Sequence, residues 1–237
     1  MDETDALTNT FSEEGRIHQV EYAIKSISSA GASLGLCFKN GVVLLGKNTE
    51  TNTTLIPDEK IYNINDNVYA VVGGLYADSN VLVNYARLKA QEFLEEYDQP
   101  MSPWMVAKTI ARIQQDFTQK GGMRPFGVAL LIAGYDTVRG YRLFSTDPSG
   151  TPVEWTAHAF GEGEKTIVAA LDTPDLSAPM DAAIARAFKA LSSASEGQTN
   201  EQAIACTILY TNEEGKHCVR TMKTPEIAEA LRAAKNE

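Results

Sequence analysis

Segments patterned as β-strands come in pairs along this 237-residue chain, and the pairs alternate with pairs of amphipathic helices. Single strands alternating with single helices would wind a parallel sheet. Paired strands read as hairpins, so this order predicts antiparallel sheets layered with helices, an α+β fold. The first pair is ASLGLCFKNGVVLLGKN, two apolar runs joined at Lys39, Asn40 and Gly41, where Asn-Gly signals a hairpin because both residues tolerate positive φ. The second, EKIYNINDNVYAVVGG, turns at Asn65, Asp66 and Asn67. A helix over 76–97 follows, with Val81, Tyr85, Leu88 and Leu94 among its apolar positions. The next begins at Ser102 as N-cap with Pro103 at the first helical position, carries Val106, Ile110, Ile113 and Phe117 on one side, and stops at Gly121 and Gly122.

Three strands, FGVALLIAGYD, GYRLFSTD and VEWTAHAFG, come next, divided by Arg139-Gly140 and by the turn Asp147-Pro148-Ser149-Gly150. Helical patterns then cover 162–172 and 180–194. ACTILYT and KHCVRTM form a hairpin around Glu213, Glu214 and Gly215, and Thr224-Pro225 opens a last helix holding Ile227 and Leu231. No linker and no internal repeat interrupts the pattern, so a single domain over 11–237 is expected, with an acidic, polar tail at 1–10 that cannot bury enough apolar surface to fold by itself.

Charge and cysteine usage exclude several classes. The formal net charge is -10, and no cluster of lysines and arginines builds the basic stripe a nucleic acid would need. No window reaches the roughly 20 apolar residues of a membrane helix. The N-terminus reads as neither a secretory signal nor a transit peptide. Cys37, Cys206 and Cys218 sit in or near apolar strand patterns, as reduced thiols do, and His18, His158 and His217 are too isolated in sequence to hold zinc. No metal and no cofactor is expected.

Residues 11–23, FSEEGRIHQVEYA, join a turn signal to an amphipathic helix expected over 16–28, whose stripe is Ile17, Val20, Ile24 and Ile27. Together with the hairpin that follows, with DEKIY at 58–62, GGLYADSNVL at 73–82, GGMRPFGVALLIAGYD at 121–136 and DPSG at 147–150, this segment resembles the α-type subunits of the 20S proteasome core particle. Within that family, SSAGASLGL and SNVLVNYARLKAQEFLEEYDQP look closest to the alpha type-4 group. The resemblance implies the four-layer αββα sandwich of N-terminal-nucleophile hydrolases. It also implies assembly with six other α-type subunits in a heptameric ring, contact with β-ring subunits, and a place in cytoplasm and nucleus.

Catalytic members of that family expose an N-terminal threonine whose hydroxyl attacks the peptide carbonyl while the free amine acts as base. The matching position here is Gly31, after Ala30. Lys47 stands where the family's aspartate would, and of the catalytic set Lys60 alone matches. Gly150-Thr151 lies inside a turn far downstream. No Gly-x-Ser-x-Gly elbow is present, and Cys37 is mid-strand. The chain is therefore read as a non-catalytic subunit that scaffolds, gates substrate entry and helps dock activators for ATP- and ubiquitin-dependent degradation. An active threonine-type peptidase and a free-standing adaptor are the alternatives.

By the same resemblance Asp5 and Tyr22 fall at gate-ordering positions, although the family's Tyr-Asp-Arg is replaced by Thr4-Asp5-Ala6 and the proline of the following turn by Glu13. Lys60, Gly74 and Ile17 match residues of an intersubunit pocket that pairs an ammonium with the C-terminal carboxylate of activator tails. The stripe on 17–27 can cap the chain's own core, pack on a neighbour, or do both. No chemistry is assigned to Arg124, Pro125 or Phe126.

Overall fold

The computed structural model describes residues 9–49, 59–173, 175–194 and 200–236. Asp5, expected at the gate, lies outside the described residues. Among those described, the chain forms α1 (His18–Ile27), β1 (Ser33–Phe38), β2 (Gly41–Lys47), β3 (Ile61–Asn65), β4 (Val68–Gly74), α2 (Tyr76–Tyr97), α3 (Pro103–Gln119), β5 (Val128–Asp136) and β6 (Gly140–Thr146). It continues through β7 (Val153–Trp155), β8 (Ala157–Phe160), α4 (Glu164–Leu171), α5 (Met180–Ala194), β9 (Ile204–Thr211), β10 (His217–Thr221) and α6 (Thr224–Asn236).

Two five-stranded sheets, ordered β10-β9-β2-β1-β8 and β3-β4-β5-β6-β7, are antiparallel throughout. Strand alternation sorts their side chains into three cores. Val42, Leu44 and Leu209 meet Val71, Leu131 and Leu143 between the sheets. From the same strands, Val43, Leu45 and Ile208 point the other way, onto Ile167, Phe188 and Leu191 of α4 and α5 and Ile227 of α6. Ala70, Leu130 and Ile132 face Leu82, Val83 and Ala86 of α2 and Val106 and Ile110 of α3. Helices, sheet, sheet and helices make four layers, the expected αββα sandwich. Both sheets are covered on both faces, which is why strands such as VVLL at 42–45 are apolar without a break.

Four details differ from the sequence reading. The hairpin at Lys39-Asn40 forms, but neither Asn40 nor Gly41 takes positive φ. Gly41 is required by space, since a Cβ there would fall 2.1 Å from the Leu209 carbonyl oxygen and 2.4 Å from the Phe38 ring. On α2 the buried face is Leu82, Val83, Ala86 and Ala90, while Val81, Leu88 and Leu94, three of the apolar positions singled out in the sequence, are exposed.

VEWTAHAFG is two strands rather than one. β7 pairs with β6 and β8 with β1, so the chain crosses from one sheet to the other at Thr156, whose carbonyl accepts from the Cys37 amide at 2.8 Å. The stacked Trp155 and His158 rings, 4.1 Å apart, and the Trp155 Nε1–H bond to Ser145 Oγ hold that corner. Helix α1 starts at His18 rather than at residue 16, because Ile17 is extended and the residues before it close a turn: the Ser12 amide donates to the Arg16 carbonyl at 2.8 Å and Gly15 takes φ +75.

Candidate functional site

At the head of β1 the position that would carry a nucleophile is closed on three counts. Residue 31 is a glycine whose added Cβ would fall 1.9 Å from the Lys47 carbonyl oxygen, inside any van der Waals contact, so no threonine side chain fits on this backbone. Its nitrogen is an internal peptide: Ala30 donates to the Ile27 carbonyl at 2.9 Å and accepts from the Glu162 amide at 2.8 Å, running α1 straight into the strand. No free α-amine exists there to act as base. Lys47, where an aspartate would be needed, pairs instead with Glu162 at 3.3 Å.

What remains is a cavity of about 180 Å³ lined by Gly31, Glu59, Lys60, Gly74, Tyr76 and Ser79 among others. The Lys60 stem lies over Gly46, where a Cβ would come 2.5 Å from Lys60 Cγ, and the side chain is 9% exposed. Its Nζ donates to the Gly31 carbonyl oxygen at 3.4 Å, a long bond. Among the described residues no carboxylate comes within 4.0 Å of it. Burial pushes the Lys60 ammonium down to about 8, because it strips hydration from the charged form.

The structure brings Lys60 and Gly74 together. Gly74 is needed at φ +121, where an added Cβ would meet the Gly127 carbonyl oxygen at 2.0 Å; the close approach is to the chain's own backbone. Ile17 is not part of this cavity. Within this chain it lines a separate hollow with Phe11, Arg16 and Val20.

A sequence profile described as "Proteasome subunit" matches residues 27–209, and a second, for the N-terminal signature of A-type proteasome subunits, matches residues 5–25. The chain belongs to the α-type proteasome subunits. It is 38% identical to the "Probable proteasome subunit alpha type-3" of Schizosaccharomyces pombe, over 96% of this chain and 94% of that relative. It is 36% identical to the "Proteasome subunit alpha type-3" of Saccharomyces cerevisiae, over 96% of this chain and 90% of that one. The "Proteasome subunit alpha type-4" of Spinacia oleracea is 42% identical over 66% of this chain and 64% of its own length, so the type-4 likeness stands beside type-3. As a member of this family the chain is a non-catalytic α-ring subunit of the 20S proteasome and assembles with other α and β subunits.

Two residue sets of this α-type chain escaped the sequence reading. Within the tail at 1–10, read from the sequence as unable to fold by itself, Asn9 is tied to the chain's own body. Its Nδ2 lies 2.9, 2.7 and 2.8 Å from the carbonyl oxygens of Phe117, Lys120 and Met123, capping the C-terminal end of α3, where helix carbonyls lack partners. Asp78, in the first turn of α2, accepts from both Nη atoms of Arg124 at 2.6 and 2.8 Å and from the Gly127 amide at 3.0 Å. Those bonds, led by Arg124, hold its carboxyl below the usual range. GGMRPFG at 121–127 is therefore a clamp as well as the lead into β5. An Asp at N3 of a helix was the one available signal, and Arg124 lies too far along the chain to be paired with it by spacing.

The α1 stripe divides. Val20 and Ile27 are buried, while Ile24 and the gate candidate Tyr22 are exposed, with Tyr22 stacked on His18 at 6.1 Å. No group of three or more His, Cys, Asp or Glu residues among those described could hold a metal ion.

Proposed function

We propose that this α-ring subunit docks activator tails at Lys60 and contributes to the entry gate through its N-terminal segment, serving ATP- and ubiquitin-dependent degradation in cytoplasm and nucleus. The observation that carries the reading is the Lys60 ammonium, buried beside a cavity with, among the described residues, a single long hydrogen bond and no carboxylate within 4.0 Å. A buried charge of this kind is costly until a counter-ion arrives, and a C-terminal carboxylate supplies one in a partly desolvated slot. Gly74 belongs to the same wall and Ile17 does not.

For the gate, Asp5 and Tyr22 remain the proposed residues, with Tyr22 exposed on α1 beside Ile24. The exposed Val81, Leu88 and Leu94 on α2 support subunit contact, since an apolar stripe in an assembly is normally covered.

Lys60→Ala in the assembled particle tests the docking reading. Activator-stimulated peptide hydrolysis falls while assembly is retained, and wild-type stimulation weakens as pH rises above about 8, where the ammonium deprotonates. Unchanged stimulation in the variant removes the assignment. With Thr4-Asp5-Ala6 and Glu13 in place of the family's residues the tail's contribution is weak, so deleting residues 1–8, which leaves the Asn9 cap in place, raises basal hydrolysis modestly; a large rise contradicts this.

A further inference from the structure

We propose that Lys60 Nζ is an acylation site, taking a small acyl group from an acyl thioester inside the cavity it lines. The inference is independent of activator docking in its chemistry and rests on that reading only for its consequence.

The geometry suits an amide better than an ammonium. The stem is fixed across Gly46, so Nζ is held at the cavity wall rather than swinging into solvent. Among the described residues one acceptor is present, the Gly31 carbonyl oxygen at 3.4 Å, enough for the single N–H of a secondary amide and too few for the three donors of an ammonium. The cavity, about 180 Å³, has room for a two-carbon acyl group. Burying a neutral amide with its N–H bonded also costs far less than burying an uncompensated charge. Burial leaves much of this amine neutral near pH 8, the form that attacks carbonyl carbon.

In the step itself the Nζ lone pair adds to the thioester carbonyl carbon, the C–S bond breaks, and the thiolate leaves. The proton lost from nitrogen is taken up by the thiolate or by water, and nothing is oxidised or reduced. The product is a neutral Nζ-acyl amide. It cannot pair with a carboxylate, so a docking ammonium would be switched off.

The test treats the native assembled protein with the acetyl thioester of N-acetylcysteamine across pH 7 to 10.5 and follows each lysine by peptide mass spectrometry. At pH 8 Lys60 is acetylated about tenfold faster than the exposed Lys39 and Lys120, and its rate levels off above about pH 9 while theirs keeps climbing. In urea the three rates converge. A Lys60 that stays unlabelled in the native protein, or that follows Lys39 in rate and pH profile, overturns the proposal. The docking reading fails separately: acetylated Lys60 with full activator stimulation sinks docking alone, and an unlabelled Lys60 whose Ala variant loses stimulation sinks acylation alone.

Discussion

The Gly31 carbonyl oxygen stands 3.4 Å from the Lys60 ammonium nitrogen, so the position that carries a nucleophile in catalytic relatives serves here as a hydrogen-bond acceptor. The lysine that would tune such a nucleophile is left with a backbone oxygen and a cavity. Loss of catalysis and the exposed need of Lys60 for a counter-ion are one geometric fact.

Lys60 should destabilise the folded chain at neutral pH. Its ammonium is lowered to about 8 from 10.5, so the unfolded chain binds more protons in that interval and stability rises as pH climbs from about 8 to 10.5. Below pH 8 the penalty is fully present. Lys60→Met removes it, adding on the order of 2 to 3 kcal/mol at pH 7 and close to nothing at pH 10.5. Urea unfolding at both values checks this, and a variant less stable than wild type at pH 7 would refute it.

Restoring a threonine should not restore a peptidase. In Gly31→Thr the new Cβ would lie 1.9 Å from the Lys47 carbonyl oxygen, so β1 or β2 must shift, at a cost of several kcal/mol. The amine also stays in a peptide bond. Expected are a lowered melting temperature and no covalent adduct with a hydroxyl-directed acylating inhibitor; an adduct at residue 31 would show that the site is merely unfurnished rather than closed.

How far the chain could be read in advance depended on the range of the signal. The positions of the hairpins and the start of α3 were legible because their signals are local, as at Ser102, whose Oγ accepts from the Met105 amide beside Pro103. The face of α2 was not, because half of its apolar buried positions are Ala86 and Ala90, and small residues carry little hydrophobic signal. The sheet switch at Thr156 has no local mark, since both halves of VEWTAHAFG are ordinary strand. At the site, Gly31 and Lys60 were read by resemblance. That Asn9 reaches across to α3 is a contact at long sequence separation that no spacing reveals.

Asn9→Ala should loosen the end of α3. One amide nitrogen with two hydrogens serves the carbonyls of Phe117, Lys120 and Met123, and losing it strands acceptors at a helix terminus. The expected cost is about 1 to 2 kcal/mol, with faster amide hydrogen exchange confined to roughly 117–127. Exchange unchanged there would mean that solvent replaces the cap freely.

Asp78 and Arg124 give the last expectation. The two-pronged contact, with the Gly127 amide on the same carboxylate, ties the first turn of α2 to the strand lead-in before β5. Because the folded carboxyl is held below its usual range, its contribution is fully present above the unfolded value of roughly 4 and is lost as pH falls through the folded one. Asp78→Asn keeps the shape, forfeits the charge and turns an N–H toward either the guanidinium or the Gly127 amide. It should cost about 2 kcal/mol at pH 7, with the gap to wild type narrowing below pH 4 as the native carboxyl takes up its proton. Arg124→Lys retains the charge but loses the fork and should fall between the two. Chemical unfolding of all three chains between pH 2 and 7 decides the matter, and a gap that stays constant across that range would show that the pair contributes through packing rather than through charge.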